Sequence, residues 1–138
     1  MPLPLFVYGS LLQGQPSDGY LASRRIRPAT VRGRLYRVPA GYPALVLDPE
    51  GSLIHGELVM DVEPGLLVVL DLFEGVRDGL YQRVPVSAFL RSPNEGQQAL
   101  FAEPVSAQAY VVTHHQARVR RYHPLKVTDW RTVAPRPR

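Results

Sequence analysis

The sequence predicts an α+β fold, a small mixed β-barrel with flanking short helices. Strand-like apolar or alternating stretches recur along the chain, and a single segment switches to a helical hydrophobic period. Fourteen prolines favour short elements and frequent turns over long helices. At 138 residues the chain has the size of one domain with one core. We expect that domain over residues 1–131, followed by a basic, flexible tail at 132–138 that carries two prolines and no hydrophobic period.

Element by element, Phe6-Val7-Tyr8 belongs to a first strand that runs into Gly9-Ser10-Leu11. A glycine directly after a strand frees the backbone to turn and to approach a ligand closely. Residues Pro16 to Ser23 carry a weak helical signal. Thr30 to Val38 alternates Val31, Gly33, Leu35 and Arg37 against Arg32, Arg34, Tyr36 and Val38, a strand pattern. Pro43 to Asp48 reads as a strand ending at a Pro-Glu-Gly turn, and Ser52 to Val62 is the expected hairpin partner beyond that turn. The period then changes. Pro64 suits a first helical turn, Leu66, Leu67, Leu70 and Phe73 recur at three- and four-residue spacing, and Gly75 suits the C-terminal cap. Leu80 to Leu90, Gln97 to Glu103 and Ala107 to Val112 return to strand character, with a surface turn at "SPNEGQ".

Several chemistries are excluded by residue type. The chain has no cysteine, which removes disulfides, thiolate metal sites and a cysteine nucleophile. Gly9 and Gly14 have a phosphate loop's spacing, but Gln15-Pro16 stands where that loop needs Lys and Ser or Thr. Ser10 lacks the flanking glycines of a nucleophile elbow. His55, His114, His115 and His123 show no metal-ligand spacing, so neither metal nor cofactor is expected.

The apolar runs fall short of a membrane span and the start lacks a signal peptide's basic region, so we expect a cytoplasmic protein with no membrane partner. Charge is uneven. Residues 1–113 hold nine Arg against eleven Asp and Glu, whereas residues 114–138 hold six Arg, one Lys and one Asp. This basic end is expected to be a solvated face and tail; nucleic-acid binding would want a basic stripe and more stacking aromatics. The oligomeric state is left open.

One stretch combines an acid with apolar neighbours. In "LDLFEG", Asp71 and Glu74 lie three apart, bracketed by Leu70 and Phe73 at a helix C-terminus. Burial and the negative end of the helix dipole both make a carboxyl there hard to ionise, which suits a proton shuttle near neutral pH. A plain solvated helix-end acid is the alternative. Asp71 reads as a helix-surface charge, and Arg83 as a partner for a carboxylate on a neighbouring strand.

The segments "FVYGSLLQGQP", "YPALV", "HGELV", "LDLFEG" with "LYQRVPV", and "AYVV", in this order over residues 5 to about 113, resemble the γ-glutamylcyclotransferase-like family. "HPLKVTDWR" resembles the close of many bacterial members. Leu11 follows Ser10 directly, which is nearer to the AIG2-like, γ-glutamylamine branch than to the branch acting on γ-glutamyl amino acids. The resemblance implies the same small mixed barrel, and an enzyme whose partner is a small γ-glutamyl substrate. In the implied reaction the substrate's own α-amine attacks its γ-carbonyl, forming 5-oxoproline and expelling the attached amine with no covalent enzyme intermediate. It implies Glu74 as the catalytic acid and base. The backbone of Tyr8, Gly9, Ser10 and Leu11 would grip the α-carboxylate, with Gly9 keeping the approach open and Ser10 Oγ as an extra donor. Tyr81 and Tyr110 would stand at the pocket, where their hydroxyls orient Glu74 or the γ-carbonyl; both rings could equally be core. A noncatalytic binding module on the same fold is the alternative reading.

Overall fold

The computed structural model describes residues 3–91 and 103–133. Its strands are β1 (Leu5–Val7), β2 (Ile26–Arg37), β3 (Pro43–Leu47), β4 (Ser52–Val59), β5 (Gln82–Leu90), β6 (Val105–Val111) and β7 (His123–Pro124). The helices are α1 (Pro64–Phe73) and α2 (His114–Val119), with 3-10 turns at Asp18–Leu21 and Trp130–Thr132. Five strands close a mixed barrel in the order β2-β4-β1-β6-β5, with β5 returning to β2. The β1–β6 pairing is parallel and the others are antiparallel. β3 and β7 extend the far end of β2 outside the barrel wall. The strand expected over Gln97–Glu103 falls, apart from Glu103, outside the described residues, as do tail residues 134–138.

One expectation is corrected here. β3 and β4 do not form a hairpin with each other among the described pairings; each ladders with β2. The reason is the length of β2, which starts at Ile26 rather than Thr30. Its first two-thirds, Ile26 to Gly33, lie along β4 and its last residues, Gly33 to Arg37, lie along β3. Pro28 does not stop it, because a proline keeps its carbonyl, and that of Pro28 accepts the Arg91 N–H at 2.9 Å. The basic C-terminal segment, read in the sequence only as a solvated face and tail, contains α2. Thr113 caps it by accepting the Gln116 N–H at 3.0 Å, and Thr-His-His-Gln is a capping-box pattern visible in the sequence.

Side-chain alternation on the strands builds two cores back to back. Phe6 and Tyr8 of the first strand region turn inward with Leu35, Ile54, Leu58, Ala107, Ala109 and Val111 to fill the barrel. Leu5, Val7, Val59 and Tyr110 turn outward under Leu67 and Leu70 of α1. β6 is therefore buried on both faces, which explains its near-continuous apolar run. Leu67 and Leu70 occupy the core face of α1 as expected, but Phe73 does not. It sits at the surface with its ring 5.0 Å from that of Tyr20. A third cluster, Ala44, Val46, Val112, Ala117 and Tyr122, seats α2.

Candidate active site

One cavity of about 190 Å³ opens where the C-terminus of α1 meets the end of β1. It is lined by Tyr8, Gly9, Ser10 and Leu11 from the strand exit, by Glu74 from the helix end, and by Tyr81 and Tyr110 from β5's approach and β6. The fold thus brings every candidate residue to one place. The volume is below the roughly 300–1,000 Å³ of drug-sized clefts and suits a group of amino-acid size.

Glu74 is delivered by the way α1 stops. Gly75 adopts φ 66°, and a left-handed residue there lets the Val76 N–H reach the Asp71 carbonyl (3.0 Å) and the Gly75 N–H reach the Leu72 carbonyl (3.1 Å). These two bonds form a Schellman cap. Glu74 is the last residue with near-helical dihedrals, φ −82° and ψ −1°. Its side chain borders the cavity, and among the described residues no hydrogen bond or ion pair holds its carboxyl. Burial alone pushes its pKa up to about 7.

The strand exit is a tight turn closed by the Leu12 N–H on the Gly9 carbonyl at 3.0 Å. Its far side is pinned by the Gln13 N–H on buried Glu57 Oε1 at 2.9 Å and by the Ser17 N–H on the Ser10 carbonyl at 2.8 Å. Among the described residues, the N–H groups of Gly9, Ser10 and Leu11 meet no acceptor of the chain, and neither does the Ser10 hydroxyl. Such a run of unspent backbone donors on a cavity wall can take an anion. The structure adds a separate reason for glycine at position 9: a Cβ there would lie 2.6 Å from Cγ of Pro43, so the Pro43 ring packs against the bare backbone.

Each of the three tyrosine hydroxyls has a partner within the chain. Tyr8 is buried in the barrel core, where its hydroxyl donates to the Tyr110 carbonyl (2.7 Å) and accepts the Leu45 N–H (3.0 Å). The Tyr81 hydroxyl donates to the Pro43 carbonyl (2.7 Å) and the Tyr110 hydroxyl to Asp71 Oδ1 (2.6 Å), neither to Glu74. All three phenols are held protonated, first by burial and then by nearby negative charge, Asp71 beside Tyr110 and Glu74 beside all three. Asp71 is not a free surface charge. Arg83 grips it with two nitrogens at 2.9 and 3.1 Å and holds its carboxyl below the usual range. Arg83 also donates to Gln108 Oε1 on β6 at 2.7 Å, so its carboxylate partner lies on the helix rather than on a neighbouring strand. Phe6, Val7, Tyr42, Pro43 and Leu80 also line the cavity and were not proposed as site residues from sequence, and neither was Phe73, which was read as an apolar bracket of Glu74. Tyr42-Pro43, Phe73 and Leu80 all lie within the segments that carry the family resemblance, which was the available signal.

A small closed barrel thus places a hard-to-ionise carboxyl, unpaired among the described residues, and a turn with three unspent backbone N–H groups around one cavity. The family model for gamma-glutamyl cyclotransferase, AIG2-like proteins matches residues 5–132, and the chain belongs to that family. Among solved structures it is similar to an AIG2-like protein from Mus musculus, with a TM-score of 0.73, 22% identity, and coverage of 99% of this chain and 96% of that one. It is also similar to YkqA from Bacillus subtilis, with a TM-score of 0.66 and 22% identity over 94% of this chain and 40% of that one. An Arabidopsis thaliana protein gives a TM-score of 0.59 and 28% identity, covering 80% of this chain and 68% of that one. Among curated protein sequences none matches significantly.

Proposed function

We propose that the protein cyclises the γ-glutamyl group of a γ-glutamylamine or related γ-glutamyl compound to 5-oxoproline and releases the free amine. The observation that carries this reading is the Glu74 carboxyl: unpaired among the described residues, raised to about 7, and sharing its small cavity with the donors of Gly9 to Leu11. The substrate's α-carboxylate sits on those N–H groups. Its α-amine then attacks its own γ-carbonyl carbon, forming the ring C–N bond. Glu74 takes the proton from the attacking nitrogen and returns it to the leaving nitrogen as the original amide C–N bond breaks. A carboxyl poised near neutrality suits both transfers. No enzyme nucleophile is needed, because the attacking group belongs to the substrate, and holding that group in a near-attack geometry contributes up to about 7–11 kcal/mol.

The test is 5-oxoproline release from γ-glutamyl amides, with Glu74→Gln as the variant. Gln keeps shape and hydrogen-bonding size but cannot accept the proton. Substrate binding by calorimetry should survive while kcat falls about 10²–10⁴-fold. Turnover of the variant at the parent rate would remove Glu74 from the chemistry, and binding without turnover by the parent would favour a ligand-holding module.

A further inference from the structure

The glutamyl head accounts for the inner cavity but not for its rim. Tyr42, Phe73 and Leu80 line the cavity and are nevertheless 57%, 41% and 48% exposed. Large apolar side chains left half in water around a cavity mouth mark a surface that something apolar covers. Their positions are fixed independently. Tyr42 directly precedes β3, Phe73 is held against Tyr20, and the Leu80 backbone is tied by its N–H to the Gly75 carbonyl (3.1 Å) and by its carbonyl to Gln116 Nε2 (2.8 Å). The rim exists before any ligand arrives.

Charge is the second observation. Among the described residues lining the cavity there is no Arg, Lys or His, and Glu74 is the only carboxyl. The nearest tyrosines are held neutral. A leaving group with its own carboxylate would bring a second anion toward Glu74 and lose water with no cation to receive it.

Resting on the cyclisation reading, we infer that the amine released is apolar, an alkylamine or arylalkylamine whose hydrocarbon part lies on Tyr42, Phe73 and Leu80, rather than an amino acid. The reaction supplying such a substrate is an amide-forming ligation of a hydrophobic amine to the γ-carboxyl of glutamate.

Three substrates separate the terms. The γ-glutamyl derivatives of phenethylamine and phenylalanine differ only by a carboxylate, and those of phenethylamine and methylamine differ by the benzyl group. The phenethylamide should exceed both others in kcat/KM by about tenfold or more, the lower range that small apolar contacts discriminate. Tyr42→Ser, at a half-exposed position, should lower the phenethyl-to-methyl ratio several-fold. Equal or better use of the phenylalanine derivative, equal use of the methylamide, or an unchanged ratio in Tyr42→Ser would each overturn the inference while leaving cyclisation standing. Turnover of other γ-glutamyl amides but of none of these three would overturn the inference alone, and release of 5-oxoproline from no γ-glutamyl amide would overturn the cyclisation reading itself.

Discussion

Burial of the Glu74 carboxyl sets stability against the proposed chemistry, and the opposition is measurable. Its pKa stands at about 7 in the folded chain against an ordinary 4.5. Below the lower value both folded and unfolded chains are protonated there. Between the two values the unfolded chain releases a proton that the folded chain keeps, so the stability contributed by the neutral carboxyl is lost as pH rises, fully so above about 7. Glu74→Gln removes this titration. Thermal unfolding of parent and variant should therefore diverge from about pH 4.5 to pH 7, with the variant gaining, and parallel curves would show that the carboxyl is not buried in the folded state. This residue was legible because the acid, its apolar brackets and the capping glycine are adjacent in sequence. The need for Gly9 was read as room for a ligand, whereas the contact with Pro43 comes from a residue far along the chain. The hydroxyl partners of Tyr81 and Tyr110 were hidden for the same reason: Pro43 and Asp71 are brought near only by the closed barrel.

At the scale of elements, the last turn of α1 is clamped twice. The Schellman bonds fix its backbone, and Asp71 ties it to Arg83 on β5 and Tyr110 on β6. Gly75→Ala puts a Cβ at positive φ and 2.6 Å from Leu80 Cδ1. We expect a loss of about 1 kcal/mol or more in denaturant unfolding, with a drop in 5-oxoproline formation because both Glu74 and the rim at Leu80 shift. A variant as stable and active as the parent would mean that the helix end tolerates another geometry. α1 was legible from its period, Pro64 and Gly75. α2 was not, because its six residues offer little period and its Thr113 cap pattern is short. The Asp71–Arg83 pair was half-seen, since sequence marks charges but not which element each one faces.

For the whole molecule, the pairing of β5 back onto β2 closes the barrel along a seam shorter than the β2–β4 ladder. β2 and β4 run together from Ile26 to Gly33, whereas among the described residues the β2–β5 register covers Ala29 to Val31 against Ala88 to Leu90, with the Arg91 N–H on the Pro28 carbonyl just beyond it. A strand end held by a short ladder opens locally more readily than a stretch held by a long one. Amide hydrogens of Phe89 and Leu90, which lie beyond the β5–β6 register, should exchange faster than those of Val84 and Val86 within it; uniform protection along β5 would show that the seam opens only with the whole fold. Strand content and class were legible from alternation and proline spacing. Pairing was less so: the turn between Asp48 and Ser52 looks like a hairpin turn, and only the full length of β2 reveals that one strand accepts both neighbours.

The capped end of α1 also constrains how this chain can change in length. Leu67 and Leu70 are locked to the barrel, and Glu74 follows Leu70 by just over one helical turn. Each residue inserted between Leu70 and Glu74 would rotate the carboxyl by about 100° around the helix axis and swing it off the cavity. Insertions before Pro64, in the link from β4, leave that angle untouched. Descendants of this sequence can therefore vary in length upstream of the helix, while the interval from Leu70 to Gly75 behaves as a ruler.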